Sequence, residues 1–300
     1  MFNNNLIELA SSFFIRRISF GKRFIVLASF SVLSCQLVAQ TSLPGVRAQI
    51  EGLNGDTPAS QGLKAERNST LKFGLNYDSL SANLSSWRGQ YMQFETQLNA
   101  SNRYSLRLEH ANRFDRSGTL MALGWTHDLS PDRYITLNYV GTNTGNFWPI
   151  SQTNVAYSEK WLSDKRLVST VLIGRNISRS NYRDWLLSAS LTYYAPGNFV
   201  YEGGLRLNRS TPGSVQTARA FAAVTYGNQG VRYLSASLNG GKEGYQLTGA
   251  TTATNFPSRG LTLGWKEWLG KDWGTEAKLN LYSNPNYRRT GLDAAVFIDF

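Results

Sequence analysis

Two histidines, His110 and His127, are the side chains of this 300-residue chain best suited to acid–base chemistry near neutral pH. A histidine activates a serine nucleophile when the two lie within hydrogen-bond reach and a third group orients the ring. No serine stands two positions on from His110, and His127 falls at a predicted turn. The sequence therefore predicts no catalytic residue. An enzyme would require His110 to meet a serine and an acid on neighbouring elements.

Metal and phosphate sites also lack their usual residues. Cys35 is the single cysteine, and no cluster of histidine, cysteine and carboxylate side chains has ligand spacing. The pairs Gly203-Gly204 and Gly240-Gly241 fall in a predicted strand and a predicted loop. There they indicate close packing and a turn rather than a phosphate-binding loop. The sequence thus predicts neither a metal nor a cofactor.

Most other polar side chains follow a period of two, the pattern of β-strands with one apolar and one polar face. The segment 103–109 places tyrosine and leucine at its even positions and arginine, serine or glutamate at its odd positions. The same alternation recurs at 71–78, 199–207, 273–281 and 292–300. These segments are the elements that must position any functional side chain.

Two kinds of connection alternate along the chain. Tight polar turns fall at 99–102, 129–132, 163–165, 195–198, 227–230 and 270–272. The connections between them are mostly longer and include 141–149, 175–184 and 240–258. Short turns at one end and longer loops at the other are typical of an outer-membrane β-barrel. The sequence predicts an all-β, transmembrane, antiparallel up-and-down barrel of about 14 strands, with 12 as the fallback, and an even count places both ends in the periplasm.

A soluble β-sandwich or lipocalin-like barrel would alternate similarly, with its apolar face turned inward. Three features favour the membrane barrel. The polar strand faces carry full charges, which a small packed core would not accept unpaired. Aromatic residues lie near strand ends on the tight-turn side, as in an interfacial girdle: Tyr104, Trp125, Tyr193, Phe199 and Trp273. The last strand ends at Phe300, which resembles the signal that outer-membrane proteins present to the barrel-assembly machinery.

Two segments leave the strand register open. Alternation through 154–161 would turn the charged side chain of Glu159 toward lipid. The segment 168–174 is apolar on both faces, so alternation does not say which side faces inward. The sequence predicts strands here without deciding their orientation.

The composition agrees with an exported barrel. Hydrophobic residues make up 41% of the chain and aromatics 13%, whereas charged residues reach only 17%, below the roughly 25% of average soluble domains. Residues 1–39 read as a signal peptide and 40–68 as a flexible periplasmic linker before the barrel at 69–300. Cys35 approximates a lipidation motif, with cleavage after Ala39 as the competing possibility. The net charge of +11 could indicate nucleic-acid binding, but an exported protein is not expected to meet nucleic acid.

The polar faces of the well-patterned strands predict which charges line the lumen. Six bases and six acids occupy them: Lys72, Arg103, Arg107, Arg206, Lys266 and Lys278, with Asp78, Glu95, Glu109, Glu202, Glu276 and Asp293. A pore that selects one ion sign should show a surplus of charge. A balanced set indicates cross-strand ion pairs or a lumen for neutral polar solutes such as sugars. Trp87 and Tyr91 also point inward, where they would stack on a sugar ring or pack the lumen.

The predicted outer loops carry a basic surplus. Ten bases stand against three acids, and the bases are Arg113, Arg116, Arg175, Arg179, Arg183, Arg209, Lys242, Arg259, Arg288 and Arg289. Guanidinium groups bind phosphates bidentately, so these loops suit the phosphates of lipopolysaccharide at the membrane edge. General solubility is the alternative explanation of the same charges.

Several spaced motifs add a more specific signal. They are Tyr77-Asp78-Ser79-Leu80-Ser81 followed by Trp87-Arg88, Asn112-Arg113-Phe114, Tyr193-Tyr194, Gly240-Gly241-Lys242-Glu243, Gly264-Trp265-Lys266-Glu267-Trp268 and Tyr287-Arg288-Arg289-Thr290-Gly291. In this order and spacing, nearly the whole of residues 69–300 resembles the YaiO family of outer-membrane β-barrel proteins. The resemblance implies an outer-membrane barrel without established catalysis. Related barrels accompany exopolysaccharide synthesis or export, sometimes behind a helical-repeat domain, and this sequence shows no such repeats.

These features together predict a barrel of the cell outer membrane that is not an enzyme. We expect a passive pore, or an envelope component for polar solutes or surface polysaccharide. The alternatives are a lipid-modifying barrel enzyme and a plugged structural or adhesive barrel. The expected partners are outer-membrane lipids and lipopolysaccharide, the barrel-assembly machinery and polysaccharide-export components.

Overall fold

The computed structural model describes residues 68–300 except 114, 144–146, 179–182 and 247–252. The predicted signal peptide, the linker up to residue 67 and Cys35 lie outside the described residues. Fourteen strands make up the rest: β1 (Ser69–Leu80), β2 (Trp87–Asn99), β3 (Asn102–Arg113), β4 (Arg116–Ser130), β5 (Arg133–Thr142), β6 (Ser151–Trp161), β7 (Leu167–Ile177), β8 (Arg183–Ala195), β9 (Phe199–Thr211), β10 (Val215–Asn228), β11 (Arg232–Gln246), β12 (Ala253–Trp268), β13 (Trp273–Ser283) and β14 (Arg288–Asp299). The predicted count of about 14 is confirmed. The described part of the chain holds no helix with the length and hydropathy of a membrane span.

The strands close into a complete barrel. Each pairs antiparallel with its sequence neighbours, and β1 pairs with β14. At this seam the Phe300 amide donates to the Ser69 carbonyl at 2.9 Å, and the Ser69 amide donates to the Phe300 carbonyl at 3.0 Å. Closure pairs the backbone polar groups of every strand, which a bilayer requires because its core contains no water to bind them. The predicted up-and-down antiparallel barrel is confirmed.

Alternation sorts the side chains into an outward and an inward face. Outward positions carry large exposed apolar side chains, among them Leu75, Leu205 and Leu292. Inward positions carry polar, charged, aromatic and small side chains. An outward apolar band of this kind is typical of a barrel that is surrounded by lipid.

Connection lengths at the two ends overlap, since only three residues join β9 to β10 at the end opposite the predicted tight turns. Ser69, Phe300 and all six predicted tight turns lie at one end. Short turns face the periplasm in outer-membrane barrels, so we call this the periplasmic end and the opposite one the outer end. Exposed aromatic side chains surround the periplasmic end on the outward face, among them Tyr104, Tyr193, Phe199 and Trp273. Trp125 also lies there and stacks on the His127 ring, with the ring centroids 5.5 Å apart.

The predicted loop 240–258 is wrong, because β11 continues to Gln246 and β12 begins at Ala253. Glycines and a proline interrupt the apolar alternation here and gave the segment the appearance of a loop. Gly241 has a φ of 146° and lies against the backbone of Ala218, where a Cβ would clash with the carbonyl oxygen. Glycine therefore permits a close strand contact at this position instead of ending the strand.

The two segments with an open register also have physical explanations. Glu159 does face outward, and its Oε1 accepts a hydrogen bond from Arg133 Nε at 3.0 Å. This ion pair lies near the periplasmic end, where water is available to both groups. In β7, Val168 and Leu172 face inward and are buried, so the strand is apolar on both faces because this part of the interior is packed.

Candidate functional site

The barrel interior gathers the charges that alternation predicts for it. Inward positions hold all of these residues: Lys72, Asp78, Glu95, Arg103, Arg107, Glu109, Glu202, Arg206, Lys266, Glu276, Lys278 and Asp293. The register places further charges on the same face: Arg113, Arg219, Arg289, Asp128, Asp184, Glu243 and Asp299. Many of these additions stand near strand ends, in or beside segments that resemble turns. Counting the alternation outward from the strand centre would have found them.

A buried carboxylate on β13 binds two lysines. Glu276 is 2% exposed, and its two carboxylate oxygens lie 2.6 Å from Lys72 Nζ and 2.7 Å from Lys278 Nζ. A second close pair joins Arg103 Nη2 to Asp128 Oδ1 at 2.6 Å. Burying either sign alone would be strongly unfavourable, so each carboxylate makes the neighbouring cation tolerable inside the barrel. Interior charge is thus largely neutralised within the wall.

The inward aromatic Tyr91 takes part in the same network. Its hydroxyl donates to Asp293 Oδ1 at 2.9 Å, and the Arg107 guanidinium carbon lies 3.7 Å from the ring centroid. Arg107 Nη2 and Nε donate to Glu109 Oε2 at 2.7 and 3.0 Å. Gly74 lies beneath the ring, where a Cβ would overlap it. Tyr91 therefore packs the lumen wall, and its ring face is covered by a cation.

A cluster of rings and arginines closes part of the outer end, and we call it the mouth cluster: Trp87, Arg113, Phe147, Trp148 and Arg289. Phe147 and Trp148, shortly before β6, are buried against Trp87. The Arg113 guanidinium carbon lies 4.9, 5.7 and 5.6 Å from the centroids of Trp87, Phe147 and Trp148. The Arg289 guanidinium carbon also lies 5.0 Å from the centroid of the Trp87 ring. Cation–π attraction replaces part of the hydration that both arginines lose.

The mouth cluster corrects two predicted positions. Arg113 and Arg289 were expected in exposed outer loops, yet they belong to β3 and β14 and are only 6% and 3% exposed. Both strands extend further than their apolar segments, and both residues fall at inward positions. Their place in the inward–outward alternation of the strand, rather than their nearness to a loop, determines their surroundings.

The other predicted outer-loop bases occupy different positions. Arg116 is exposed at the start of β4, and Arg179 lies outside the described residues. The remaining bases are exposed at outward positions on strands, near the outer end: Arg175, Arg183, Arg209, Lys242, Arg259 and Arg288. They surround the barrel wall instead of forming loops, because the strands at this end are longer than the apolar pattern indicates.

Two parts of the interior wall differ in how tightly they are filled. On β5 to β7, which we call the packed wall, most inward side chains are buried, among them Tyr134, Asn154 and Leu172. On β9 and β10, the open wall, every inward residue stays partly exposed. Small residues such as Gly204 and Ala223 occur at inward positions there. The open wall therefore borders free space inside the barrel.

Neither histidine lies in the interior. His110 is exposed on the outward face, with Nδ1 3.1 Å from Thr119 Oγ1. His127 Nδ1 lies 3.0 Å from Asn102 Oδ1 beside a periplasmic turn. In the described ranges, no group of three or more histidine, cysteine, aspartate or glutamate side chains could hold a metal ion.

Comparison with known proteins gives one family match and several similar solved structures. A family profile described as "YaiO membrane beta barrel domain" matches residues 68–246, from β1 to β11. No curated protein matches the chain. Among solved structures, the translocator domain of the autotransporter NalP from Neisseria meningitidis is 14% identical, with 90% of this chain and 99% of that chain covered and a TM-score of 0.43. OmpT of Vibrio cholerae without loop L8 is 9% identical, with 77% and 98% covered and a TM-score of 0.46. A bacterial polysaccharide outer membrane secretin is 8% identical, with 79% and 100% covered and a TM-score of 0.49.

Proposed function

This chain belongs to the YaiO family of membrane β-barrel proteins of the outer membrane, and we propose that its barrel is a passive pore for small polar solutes. The open wall carries the proposal. Its inward side chains remain partly exposed although they face the interior of a closed barrel. Exposure at these positions requires space within the lumen, and small side chains such as that of Ala223 help to leave it open.

The chemistry of the open wall favours neutral solutes. Glu202, Arg206 and Arg219 face the lumen there, so both signs of charge are present along one route. Arg219 also pairs with Glu243 at 2.5 Å and hydrogen-bonds to Asn239. A lumen with paired charges has little reason to select one ion sign. The hydroxyl group of Ser237, opposite Ala223 on β11, offers hydrogen bonds to sugars from the same inward face.

The mouth cluster sets the expected size limit. Phe147 and Trp148 occupy the outer end beside Trp87, so the route in this proposal follows β9 and β10. Such a route suits single small solutes better than a polysaccharide chain. Export of polysaccharide, which the family resemblance implies, therefore remains the second expectation.

Passage rather than catalysis is part of the proposal. The two histidines are the groups best suited to general acid–base work, and both lie on the barrel exterior, His110 beside Thr119 and His127 beside Asn102 and the Trp125 ring. A lipid-modifying site would have to form around His110 and Thr119. Activity on labelled lipopolysaccharide that disappears in His110→Ala would support that enzyme instead.

The experiment that tests the pore is planar-bilayer conductance of the purified barrel, combined with liposome swelling in neutral sugars. We expect steady conductance with nearly equal cation and anion permeability, and faster swelling with a monosaccharide than with a trisaccharide. An electrically silent barrel that also excludes monosaccharides would contradict the proposal and favour a plugged barrel.

A further inference from the structure

Among the described residues, outward-facing arginines at the two ends of the barrel differ in whether they have a carboxylate partner. At the periplasmic end, Arg133 lies 3.0 Å from Glu159, and Arg232 lies 2.7 Å from Glu267. Each of these exposed arginines thus has a carboxylate partner on the neighbouring strand. Exposed cations on this surface find their counter-charge within the protein.

Five outward-facing arginines at the outer end have no such partner among the described residues. Arg175, Arg183, Arg209, Arg259 and Arg288 are exposed at outward positions. Within the described residues, none of them lies within 4.0 Å of a carboxylate. A charged side chain on the lipid face costs up to about 2–4 kcal/mol near the midplane and less toward the interface. Repeated unpaired arginines at this level indicate that the surroundings supply negative charge.

Three of these arginines form one patch around a tryptophan, and we call it the arginine patch: Arg175, Arg183, Trp185 and Arg209. Arg175 on β7 stands directly opposite Trp185 on β8, which stands directly opposite Arg209 on β9. The Arg175 guanidinium carbon lies 5.2 Å from the Trp185 ring. Neighbouring strands are about 4.8 Å apart, so the two flanking arginines stand roughly 10 Å apart at the backbone. Side chains of this length can converge on one phosphorylated headgroup.

We infer that the arginine patch binds the phosphate groups of lipopolysaccharide in the outer leaflet. Guanidinium groups bind phosphate oxygens bidentately and keep their charge at any physiological pH. Trp185 places an amphipathic ring at the same level, where tryptophan is favoured at a membrane interface. The inference goes beyond the pore, because the patch lies on the opposite face of the wall from the lumen.

Calorimetric titration of the detergent-folded barrel tests the inference, with intact and dephosphorylated lipopolysaccharide as the two ligands. We expect saturable binding of the intact form and at least about tenfold weaker binding by the double variant Arg175→Gln/Arg209→Gln, since charge-assisted hydrogen bonds contribute about 1.5–3 kcal/mol each. The matched control is Arg133→Gln/Arg232→Gln, which removes the same charges from the same face at the periplasmic end. Its affinity for lipopolysaccharide should stay within about twofold of the native value, because both arginines lie at the opposite end of the barrel from the outer leaflet and salt screens their charges over that distance.

A charge-preserving variant separates weaker binding from a failure of the glutamine variant to fold. Arg175→Lys/Arg209→Lys keeps both charges but loses the bidentate geometry, so its affinity should fall between the native and the glutamine values. Equal affinity for the dephosphorylated ligand would overturn the inference, as would an equal loss in the periplasmic control. Conductance of the glutamine variant should match that of the native barrel, so failure of this site and failure of the pore are separate results.

Discussion

The packed wall and the open wall have the same backbone pattern but different interiors. Both consist of long antiparallel strands whose inward residues are mostly polar. On the packed wall, amides and larger side chains such as Asn154 and Leu172 are buried. On the open wall, inward residues of every size stay partly exposed, from Ala223 to Arg206 and Phe221. Small inward residues such as Ala156 and Gly174 are buried on the packed wall, so what covers each wall from the lumen, rather than the size of its own side chains, accounts for the difference.

Removing a charge should distinguish buried from open interior positions most strongly. Glu276→Gln leaves two lysines beside an amide in a buried site, and we expect a loss of about 3–5 kcal/mol in the free energy of unfolding. Glu202→Gln on the open wall should cost less than about 1 kcal/mol, because solvent screens its neighbours. Urea unfolding of both variants in lipid vesicles, followed by tryptophan emission, measures the difference. Equal losses would mean that the lumen beside β9 is as dry as the site of Glu276.

A matched valine pair tests the walls through packing alone. Val168 on β7 is buried, whereas Val200 on β9 faces inward but is partly exposed. Val168→Ala should reduce the free energy of unfolding by about 2 kcal/mol, from lost burial and the cavity that remains. Val200→Ala should cost about half as much or less, because fewer neighbours lose contact. The same unfolding experiment applies, and a reversed order would show that the walls have been assigned the wrong way round.

The mouth cluster should limit conductance because its rings narrow the outer end of the lumen. Trp148→Ala removes a buried ring from the outer end, so single-channel conductance should rise by about twofold if the widened cross-section fills with water. Trp185→Ala removes an exposed ring from the outward face and serves as the control. An unchanged conductance in Trp148→Ala would place the narrowest point of the lumen elsewhere.

The smallest expected effect concerns ion selectivity. Arg206→Gln leaves Glu202 with less compensation on the open wall, so the reversal potential in a salt gradient should move modestly toward cation selectivity. Arg209→Gln, three positions along the same strand, faces outward and should leave the reversal potential unchanged. A shift of equal size in both variants would show that surface charge, rather than the open wall, controls permeation.

Much of the fold could be predicted because alternation is strict. Lys72, Glu276 and the other charges of the lumen follow directly from a period of two, and the tight turns mark the strand ends at the periplasm. The outer end was harder to predict, since Arg113 and Arg289 stand where strands pass into turn-like sequence. Gly241 and its neighbours removed the apolar pattern from β11 without ending the strand.

The candidate site was only partly predictable. Trp87 and Tyr91 do face inward, but the sequence left open whether they bind sugar or pack, and the structure places a cation over each ring. Phe147 and Trp148 lie in the connection between β5 and β6, whose sequence has no apolar period. Their burial could therefore not be predicted from the local pattern. The division into packed and open walls arises from contacts between strands that are distant in sequence, which single-strand patterns do not contain.

Conductance of two neighbouring alanine variants tests the pore most directly. Ala223 faces the lumen on the open wall, and Ala222 beside it faces lipid. Ala223→Trp should reduce single-channel conductance by at least about half, because a large ring would occupy the space that the small side chain leaves. Ala222→Trp adds the same ring to the outward face and should conduct like the native barrel. Full conductance in Ala223→Trp, or equal loss in both variants, would contradict a solute route along the open wall.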